Sequence, residues 1–420
     1  MAHHPVIVVG AGASGLAAAI AAAQYQAPVI VLEKGPKPAR KIMVSGAGRC
    51  NLTNQQPMQA FIDHYFGQGR FLYPAFNVFF RDQLLDLLMR EGVATITEPN
   101  GKIFPASGRA ADVADALVRL ARKSGADIRL NQTVLAIDPA DDRVDVRLPD
   151  GVLSGAAVIM ACGGQSWPAT GSSGDGYQMA AGLGLAVVPV RPALTGLHLA
   201  VDQPDELQGV SCPDIKLELL QENRRLGQSR GECVLTHFGI SGPAVLRLSR
   251  DCPPDLRQQS GVSLELDWLP GRTAVSLEET IRQACASHGR RQLRTLLSDC
   301  LPLPQALIRW LAVLSELPEN LLAADTSRIQ IDTVVRIMKS LRLPVSRTRG
   351  FQDAMATAGG VSLREIDPRT MACRRQPRLF FAGEVLDIDG DTGGYNLQAA
   401  FSTGWLAGRE AARLIRSRPV

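Results

Sequence analysis

The eight cysteines of this sequence include no CxxC pair, and this absence narrows its chemistry. They are scattered along 420 residues, and His64, His198 and His288 have no metal-like spacing to a cysteine or an acid. We therefore expect no metal site and no thioredoxin-type dithiol. Scattered thiols of this kind are typical of a reducing compartment.

Long hydrophobic runs are also missing. No apolar run approaches the roughly 20 residues that span a bilayer. The first residues, MAHHPVIVVG, enter a strand without the basic and apolar regions of a signal peptide. These two absences predict a cytoplasmic protein with no membrane partner.

A strong excess of one charge is lacking as well. Lysines and arginines number 45 against 41 acids, which gives a formal net charge of +4. Nucleic-acid-binding proteins usually carry a concentrated basic stripe, and this excess is too small to indicate one. We therefore expect no nucleic-acid partner.

What the chain does contain is a nucleotide-binding turn directly after its first strand. The segment GAGASG (Gly10–Gly15) matches GxGxxG between an apolar strand and an Ala-rich helix. Its glycines permit a tight turn, close approach of a pyrophosphate and close helix–strand packing. Phosphates are expected at the helix N-terminus, where free amides and the helix dipole favour negative charge. Glu33 ends the second strand, where an acid binds ribose hydroxyls, so the nucleotide is FAD or NAD rather than NADP.

Two further glycine-rich segments favour FAD over NAD. Ala161–Gly164 ends another buried strand, and a strand-then-helix pattern returns in Phe380–Gln398. There, Gly383-Glu384 follow a strand, and Gly393-Gly394 precede a helix that begins near Tyr395. Glycine backbone lies flat against a ring, and a helix N-terminus stabilises the negative charge of a reduced flavin. A simple NAD dehydrogenase needs neither segment, so we predict FAD.

The glycine-rich strand-then-helix pattern occurs at the beginning and at the end of the sequence, but the middle of the sequence has a different pattern. This arrangement predicts a discontinuous domain. The fold class we predict is α/β, a Rossmann-type FAD-binding domain with an inserted β-rich domain and a helical subdomain. The predicted ranges are 1–191 and 356–420 for the FAD-binding domain, 192–272 and 344–355 for the β-rich insert, and 273–343 for the helical subdomain.

Six segments, in order, carry a resemblance that spans essentially the whole chain. They are VIVVGAGASGLAAA, KIMVSGAGRCNLTN, GGQSWPATGSSGDGYQMA, THFGISGPAVLRLS, TAGGVSLREIDPRTM and FAGEVLDIDGDTGGYNLQAAFSTG. On these segments the sequence resembles the bacterial YhiN/BaiN-like flavoproteins, a family that includes aminoacetone oxidase and flavoproteins linked to bile-acid 7-dehydroxylation.

The resemblance implies that a two-part Rossmann domain binds FAD, and that the insert and a helical excursion cover the flavin. It implies that Glu33 holds the adenosine ribose and that Val134 contacts the adenine through its backbone. The residues that it places along the cofactor are Arg40, Lys41, Ser45 and Gly46. The residues that it places near the ribityl chain and ring are Glu384, Asp387, Asn396 and Leu397.

Other cofactor-binding predictions rest on the glycine-rich segments and their neighbours. They are Gly10, Gly12, Ala13, Ser14, Gly15, Lys34, Arg49, Cys50, Asn51, Ala161, Gly163, Gly383 and Gly394. The loop SGAGRCNLTN (45–54) lacks the GK[ST] ending of a Walker-type loop, so we interpret it as a flavin cradle in which Arg49 adds charge. Cys50 has no neighbouring cysteine, and is either a small packed residue or a redox partner of the flavin.

The candidates for catalysis are His237 and Tyr395, each with an alternative role. His237, in LTHFGISGP, can titrate near neutral pH, so it is either an acid/base at the flavin or a hydrogen-bonded structural residue. Tyr395 either forms part of a substrate wall or packs the helix N-terminus. Asp175 either caps a helix or approaches the cofactor, and Thr357–Gly360 either line the ring or form a plain turn.

The leading functional hypothesis is an FAD-dependent oxidoreductase that acts on a small organic substrate. It is either an oxidase that returns electrons to O2 or a reductase supplied by NAD(P)H. The sequence has no second complete GxGxxG with a strand-end acid, so no dedicated nicotinamide domain is expected. The alternatives are a tRNA-modifying flavoprotein and a flavin-binding scaffold or sensor without turnover.

Overall fold

The computed structural model describes residues 4–253, 256 and 261–416, and the chain divides into two units. Unit 1 comprises Met1–Pro192 and Ala354–Val420, and unit 2 comprises Ala193–Asp353. The boundaries predicted for the FAD-binding domain differ from this division by at most two residues. Its outermost residues, 1–3 and 417–420, lie outside the described part of the chain.

The strands and helices are numbered in chain order. The strands are β1 (Val6–Val9), β2 (Val29–Leu32), β3 (Thr53–Asn54), β4 (Thr95–Thr97), β5 (Lys102–Pro105), β6 (Ala126–Arg129), β7 (Ala136–Pro139), β8 (Val144–Leu148), β9 (Gly151–Gly155), β10 (Ala157–Met160), β11 (Val187–Ala193), β12 (Leu197–Leu199), β13 (Ser211–Gln221), β14 (Arg224–Thr236), β15 (Gly239–Ser241), β16 (Val262–Asp267), β17 (Leu341–Thr348), β18 (Ala356–Val361) and β19 (Leu379–Phe381). The helices are α1 (Ala13–Gln24), α2 (Arg40–Val44), α3 (Met58–Asp63), α4 (Tyr73–Val78), α5 (Arg81–Arg90), α6 (Ala110–Lys123), α7 (Asp175–Gly182), α8 (Pro243–Leu248), α9 (Ala274–Ser287), α10 (Leu293–Cys300), α11 (Gln305–Leu314), α12 (Arg328–Ser340) and α13 (Tyr395–Arg416).

A five-stranded parallel sheet forms the centre of unit 1, in the order β19-β10-β1-β2-β6. Strands β1 and β10 are apolar and fully buried, as expected for a parallel sheet that is covered on both faces. Strand β1 pairs with β2 on one side and with β10 on the other, so the strand order reverses there. Ligands of open α/β sheets bind at such a reversal, beyond the carboxyl ends of the strands.

Helix α1, in the first segment of unit 1, packs against helix α13, in the last segment of unit 1. A Cβ atom added at Gly404 would lie 2.1 Å from the Ser14 carbonyl oxygen, and one added at Gly408 would lie 2.1 Å from the Ala18 carbonyl oxygen. Because these glycines lie one helical turn apart on α13, the two backbones contact each other along that face. This contact packs the C-terminal helix directly against the helix of the GxGxxG motif.

Unit 2 contains a closed barrel of six strands, in the order β12-β15-β14-β13-β16-β17. Alternate residues of β13 and β16, such as Leu217 and Leu264, are fully buried, which matches the two-residue period of a strand. Helices α9 to α12 share one hydrophobic core with these strands, in which Trp268 and Leu311 are buried. The predicted separation into a β-rich insert and a helical subdomain stays a prediction.

No helix in the described part of the chain is long and apolar enough to span a bilayer.

The packing of α13 on α1 predicts that Gly408→Val destabilises the protein. The added side chain would enter the space of the Ala18 carbonyl group, and overpacking of this kind costs about 1–3 kcal/mol. The control is Gly182→Ala in α7, where an added Cβ meets no atom within 4 Å. Urea unfolding of both variants measures the difference, and an unchanged free energy of unfolding for Gly408→Val would contradict the packing described here.

Candidate functional site

A cavity in unit 1 lies at the carboxyl ends of its central strands. Val9, Leu32 and Ala161 line it at the ends of β1, β2 and β10, and Gly383 lines it just after β19. It encloses about 1430 Å³ of empty space, including a part that is open to solvent.

The GxGxxG motif contributes one wall of the cavity. Gly12 is the N-cap of α1 and has no side-chain cap, so no side chain satisfies the amides of the first helical turn. A Cβ atom added at Gly12 meets no atom within 4 Å, whereas one added at Gly15 would lie 1.8 Å from the Gly10 carbonyl oxygen. Gly12 therefore faces open space where an anion can reach the helix N-terminus, and Gly15 allows the helix to pack on the turn.

Glu33 stands at the end of β2 with its carboxylate held in place. Its Oε2 accepts a hydrogen bond from the Ala11 amide at 2.9 Å, and its Oε1 accepts one from the Gly35 amide at 2.8 Å. Each carboxylate oxygen retains a lone pair, which is available to a ribose hydroxyl. Thr133 and Val134 line the same cavity.

An ion pair joins Lys34 to Asp175, and both residues line the cavity. The distance between Nζ and Oδ2 is 2.5 Å, and Ser173 donates a hydrogen bond to the same carboxylate. Partial burial acts to raise the pKa of Asp175, but Lys34 and Ser173 outweigh it and lower the pKa. Asp175 is the first residue of α7, whose N-cap is Gly174, so its side chain serves the ion pair and the cavity.

A second polar network surrounds Glu384. Lys41 donates to both Glu384 and Ser166. Oε1 of Glu384 accepts hydrogen bonds at 2.8 Å from the Ser166 hydroxyl and from the Thr357 amide. Burial acts to raise the pKa of Glu384, but Lys41 and these hydrogen bonds lower it below its ordinary value. A charged carboxylate is therefore fixed at the cavity wall, and Thr357 belongs to its support.

The N-terminus of α13 supplies the opposite end of the cavity. Asn396 and Leu397, in the first turn of α13, line it. The Asn396 side-chain oxygen accepts from the Gly390 amide, and its nitrogen donates to the Gly390 carbonyl, both at 2.8 Å. This pair of hydrogen bonds ties the glycine-rich loop before α13 to the helix itself.

The structure gathers many of the predicted cofactor-binding residues around this one cavity. Those that line it are Gly10, Gly12, Ala13, Ser14, Glu33, Lys34, Arg40, Lys41, Ser45, Val134, Ala161, Gly163, Gly383, Glu384, Asn396 and Leu397. Those that do not line it are Gly15, Gly46, Arg49, Cys50, Asn51, Asp387 and Gly394.

Several residues of the second group have other partners. Arg49 forms an ion pair with Glu98 at 2.6 Å, and its guanidinium lies 4.1 Å from the Phe104 ring centre. Asp387 accepts a hydrogen bond from the Gln68 side chain at 3.1 Å. Their side chains are engaged away from the cavity walls.

Cys50 is completely buried, and burial raises the pKa of its thiol to about 12. A thiol with such a pKa carries almost no thiolate at neutral pH, and the thiolate is the reactive form. This favours the packed alternative for Cys50 over the redox alternative.

The two catalytic candidates lie outside the cavity lining. Tyr395 is only 3% exposed, and its ring stacks on His64 with 4.1 Å between centroids. Its carbonyl oxygen accepts a hydrogen bond from the Tyr65 hydroxyl at 2.8 Å, so the packing alternative fits Tyr395 better. His237 is exposed in unit 2, between β14 and β15, with its ring 5.1 Å from that of Phe238.

Sequence reasoning missed part of the lining. The additional polar lining residues include Lys37, Gln132, Thr133, Ser172, Ser173 and Thr403. The segment TGSSGDGYQMA (170–180) carried a signal for the two serines, because it is a glycine-rich entry to a helix. Thr403 lies in the middle of α13, where its hydroxyl accepts from the Gly383 amide at 2.9 Å, and no sequence motif marks it.

Among residues 4–253, 256 and 261–416, no group of three or more His, Cys, Asp or Glu side chains is arranged to hold a metal ion.

Comparison with known proteins relates nearly the whole chain to one family. The family model described as HI0933-like protein Rossmann domain matches residues 4–410. A 3-dehydro-bile acid delta(4,6)-reductase of Clostridium scindens is 33% identical over 96% of this chain and 98% of its own. A ribosomal RNA dihydrouridine synthase of Escherichia coli is 31% identical over 98% of each chain.

A solved structure shares the fold. The 3-ketosteroid-delta4-(5alpha)-dehydrogenase of Rhodococcus jostii RHA1 superposes with a TM-score of 0.52 at 16% identity, over 99% of this chain and 97% of its own.

Substitutions of Gly12 and of Gly15 should have different effects. We expect Gly12→Ala to fold normally and to bind FAD about tenfold more weakly or worse, roughly 1.4 kcal/mol, because its methyl group enters open cavity space. We expect Gly15→Ala to lower the stability of the cofactor-free protein, because its methyl group meets the Gly10 carbonyl. Thermal unfolding of the apoproteins and FAD titration measure both, and equal FAD affinity in Gly12→Ala and wild type would contradict this reading of the cavity.

The burial of Cys50 predicts an unreactive thiol. In the folded protein, we expect iodoacetamide to leave Cys50 unmodified at neutral pH, as peptide mass spectrometry would show. We also expect Cys50→Ser to leave the rate of flavin reduction within about twofold of wild type, because a redox partner would be needed on every turnover. The partly exposed Cys300 is the internal control for alkylation.

Proposed function

The chain belongs to the HI0933-like protein Rossmann domain family and is an FAD-dependent oxidoreductase, and from this premise we propose that it reduces a carbon–carbon double bond conjugated to a carbonyl group. The observation that carries this proposal is the relationship, along nearly the full chain, to proteins named for two reductions of this one kind.

The two named reactions share their chemistry. In a 3-dehydro-bile acid that contains double bonds at positions 4 and 6, those bonds are conjugated to the 3-oxo group. In uridine, the C5=C6 bond is conjugated to the C4 carbonyl, and dihydrouridine lacks that double bond. Each reduction adds a hydride to the electron-poor end of the conjugated system and a proton nearer to the carbonyl.

The residues around the cavity fit FAD. Gly12 and the free amides of the first turn of α1 would hold the pyrophosphate, and Glu33 would hold the adenosine ribose. Glu384 and the first turn of α13 would hold the ribityl chain and the ring. FAD, when bound, supplies the two-electron hydride chemistry.

The side chains and backbone of the protein then contribute orientation and electrostatic stabilisation to the reaction. Lys41, Ser166 and the Thr357 amide fix the direction of the Glu384 carboxylate, so its lone pairs are aimed before a ligand arrives. The amide dipoles at the N-terminus of α13 favour negative charge at the cavity end that Asn396 and Leu397 line. Such prearranged dipoles contribute to catalysis because they need no reorganisation during the reaction.

The electron donor we propose is NADH or NADPH, which reaches the cavity only transiently. The sequence has no second complete GxGxxG motif with a strand-end acid to hold a nicotinamide nucleotide. We place the protein in the cytoplasm, because its eight cysteines are free thiols, as a reducing compartment favours.

The substrate that we favour is a small organic molecule, in line with the modest net charge of +4. A second candidate is a uridine in ribosomal RNA, and the relative from Escherichia coli and a further one from Haemophilus influenzae, 31% identical, favour it. Both candidate substrates undergo the same reaction, and they differ only in the molecule that contains the double bond.

Anaerobic rapid mixing tests the proposal. We expect NADH or NADPH to bleach the absorbance of the bound flavin, and a steroidal 4,6-dien-3-one or a uridine-containing ribosomal RNA fragment to restore it. Mass spectrometry should then show a gain of two hydrogens in the substrate. Gly12→Ala is the control for contaminating reductases: because it should bind FAD about tenfold more weakly, its activity should need a correspondingly higher FAD concentration, whereas that of a contaminant would not change.

Three outcomes would contradict the proposal. If neither NADH nor NADPH bleaches the flavin, the reductase hypothesis is wrong. Peroxide release with an amine donor such as aminoacetone, without reduction of either double bond, would indicate an oxidase. Bound FAD that no donor reduces would indicate a scaffold or sensor.

A further inference from the structure

A group of aromatic and cationic side chains lies in unit 2 where strands β12, β15 and β17 of the barrel meet. Three distant segments meet there, because β12 pairs with both β15 and β17. His198 of β12 stands opposite Gly239 on one side and opposite Arg347 on the other. His237 and Phe238 directly precede β15, so the histidine singled out in the sequence belongs to this group. We call His198, His237, Phe238, Arg347 and Arg349 the Phe238 cluster.

The cluster is organised around the ring of Phe238. The His198 ring centre lies 5.2 Å from that of Phe238, and the His237 ring centre lies 5.1 Å from it at a right angle. The Arg349 guanidinium carbon lies 4.3 Å from the Phe238 ring centre, within the range of a cation–π contact. A Cβ atom at Gly196 would lie 2.8 Å from the Phe238 ring, so that glycine leaves room for it.

The two arginines of the cluster differ in whether an acid neutralises them. Arg349 forms an ion pair with Asp353 at 2.8 Å. Arg347 is exposed, and within the described part of the chain its side chain has no ion pair or hydrogen bond. Partial burial, together with the charges of Arg347 and Arg349, lowers the pKa of His198. Two arginines therefore act on His198, and Asp353 partly offsets their charge.

A β-bulge lies at the same place. The pairing of β12 with β17 shifts between His198 and Leu199, so that Arg347 and Val345 face consecutive residues of β12. Ser346 is the extra residue, and its hydroxyl donates to the His198 carbonyl oxygen at 3.3 Å. Bulges occur often at barrel rims and beside functional sites, where they redirect a side chain. Here the bulge leaves both Ser346 and Arg347 exposed in succession.

We propose that Arg347, with His198 and His237 beside it, forms an anion-binding site for a carboxylate or a phosphate group. Arginine presents a planar set of donors that matches both groups, and imidazole nitrogens add further donors. The probes for this site follow from the names of the relatives, because a bile acid carries a carboxylate and an RNA carries phosphates.

Titration calorimetry of the FAD-bound protein tests the site with two pairs of probes. Cholate and its methyl ester differ in the carboxylate charge, and uridine 5′-monophosphate and uridine differ in the phosphate. We expect the charged member of one pair to bind at least about tenfold more tightly than its neutral partner, and Arg347→Gln to abolish that preference. A preference in the cholate pair identifies a carboxylate ligand, and one in the uridine pair identifies a phosphate ligand.

Arg342→Gln is the matched control. Arg342 lies in the same strand and is also exposed, but it forms an ion pair with Glu265 at 2.5 Å outside the cluster. We expect it to retain the preference for the charged probe. The absence of any preference in wild type, or a preference that survives Arg347→Gln, would overturn the site.

The experiments distinguish a failure of the anion site from a failure of the proposed function. A charge preference without reduction of any conjugated double bond would leave the anion site in place and count against the proposed function. Reduction of such a bond without any charge preference would overturn the anion site alone.

Discussion

The close approach of α1 and α13 is the contact on which the cavity depends. Helix α1 carries the glycine-rich turn near the start of the chain, and α13 carries the other end of the cavity wall nearly 400 residues later. Only glycine at positions 404 and 408 lets these two backbones touch. Close packing of this kind has no room for a methyl group, so it fixes the distance between the two walls. A Cβ atom added at Gly383 would lie 2.6 Å from the Ser14 hydroxyl oxygen, so the turn after β19 also packs closely on α1.

Two ion pairs attach the segment after β2 to distant parts of unit 1. Lys34 meets Asp175, and Lys41 meets Glu384. All four side chains are partly exposed, and such pairs contribute little to the free energy of unfolding, because solvent screens them and desolvation opposes them. Their consequence is positional: both acids stay charged and directed, as the lowered pKa of each shows.

The proposed reaction and the proposed anion site assign different tasks to the two units. Unit 1 has the geometry of a nucleotide site, and reduction of a conjugated double bond requires from it mainly orientation and charge stabilisation. Relatives of similar length are named for a steroid-like substrate and for ribosomal RNA. Function of this kind resides in sites placed on a shared fold, so the choice between substrates belongs to residues outside the flavin-binding motifs. The Phe238 cluster, with His237 and Arg347, lies outside those motifs.

The sequence by itself determined the elements whose signals are local. Strand, turn and helix around Gly10–Gly15, the acid Glu33 at a strand end and the helix that begins at Tyr395 follow from periodicity and turn chemistry between near neighbours. Only the tertiary structure decided which side chains meet. The partner of Lys34 lies 141 positions away, and that of Lys41 lies 343 away. The burial of Tyr395 and Cys50 and the meeting of His198 with Arg347 likewise depend on contacts between elements far apart in the chain, for which spacing in the sequence carries no signal.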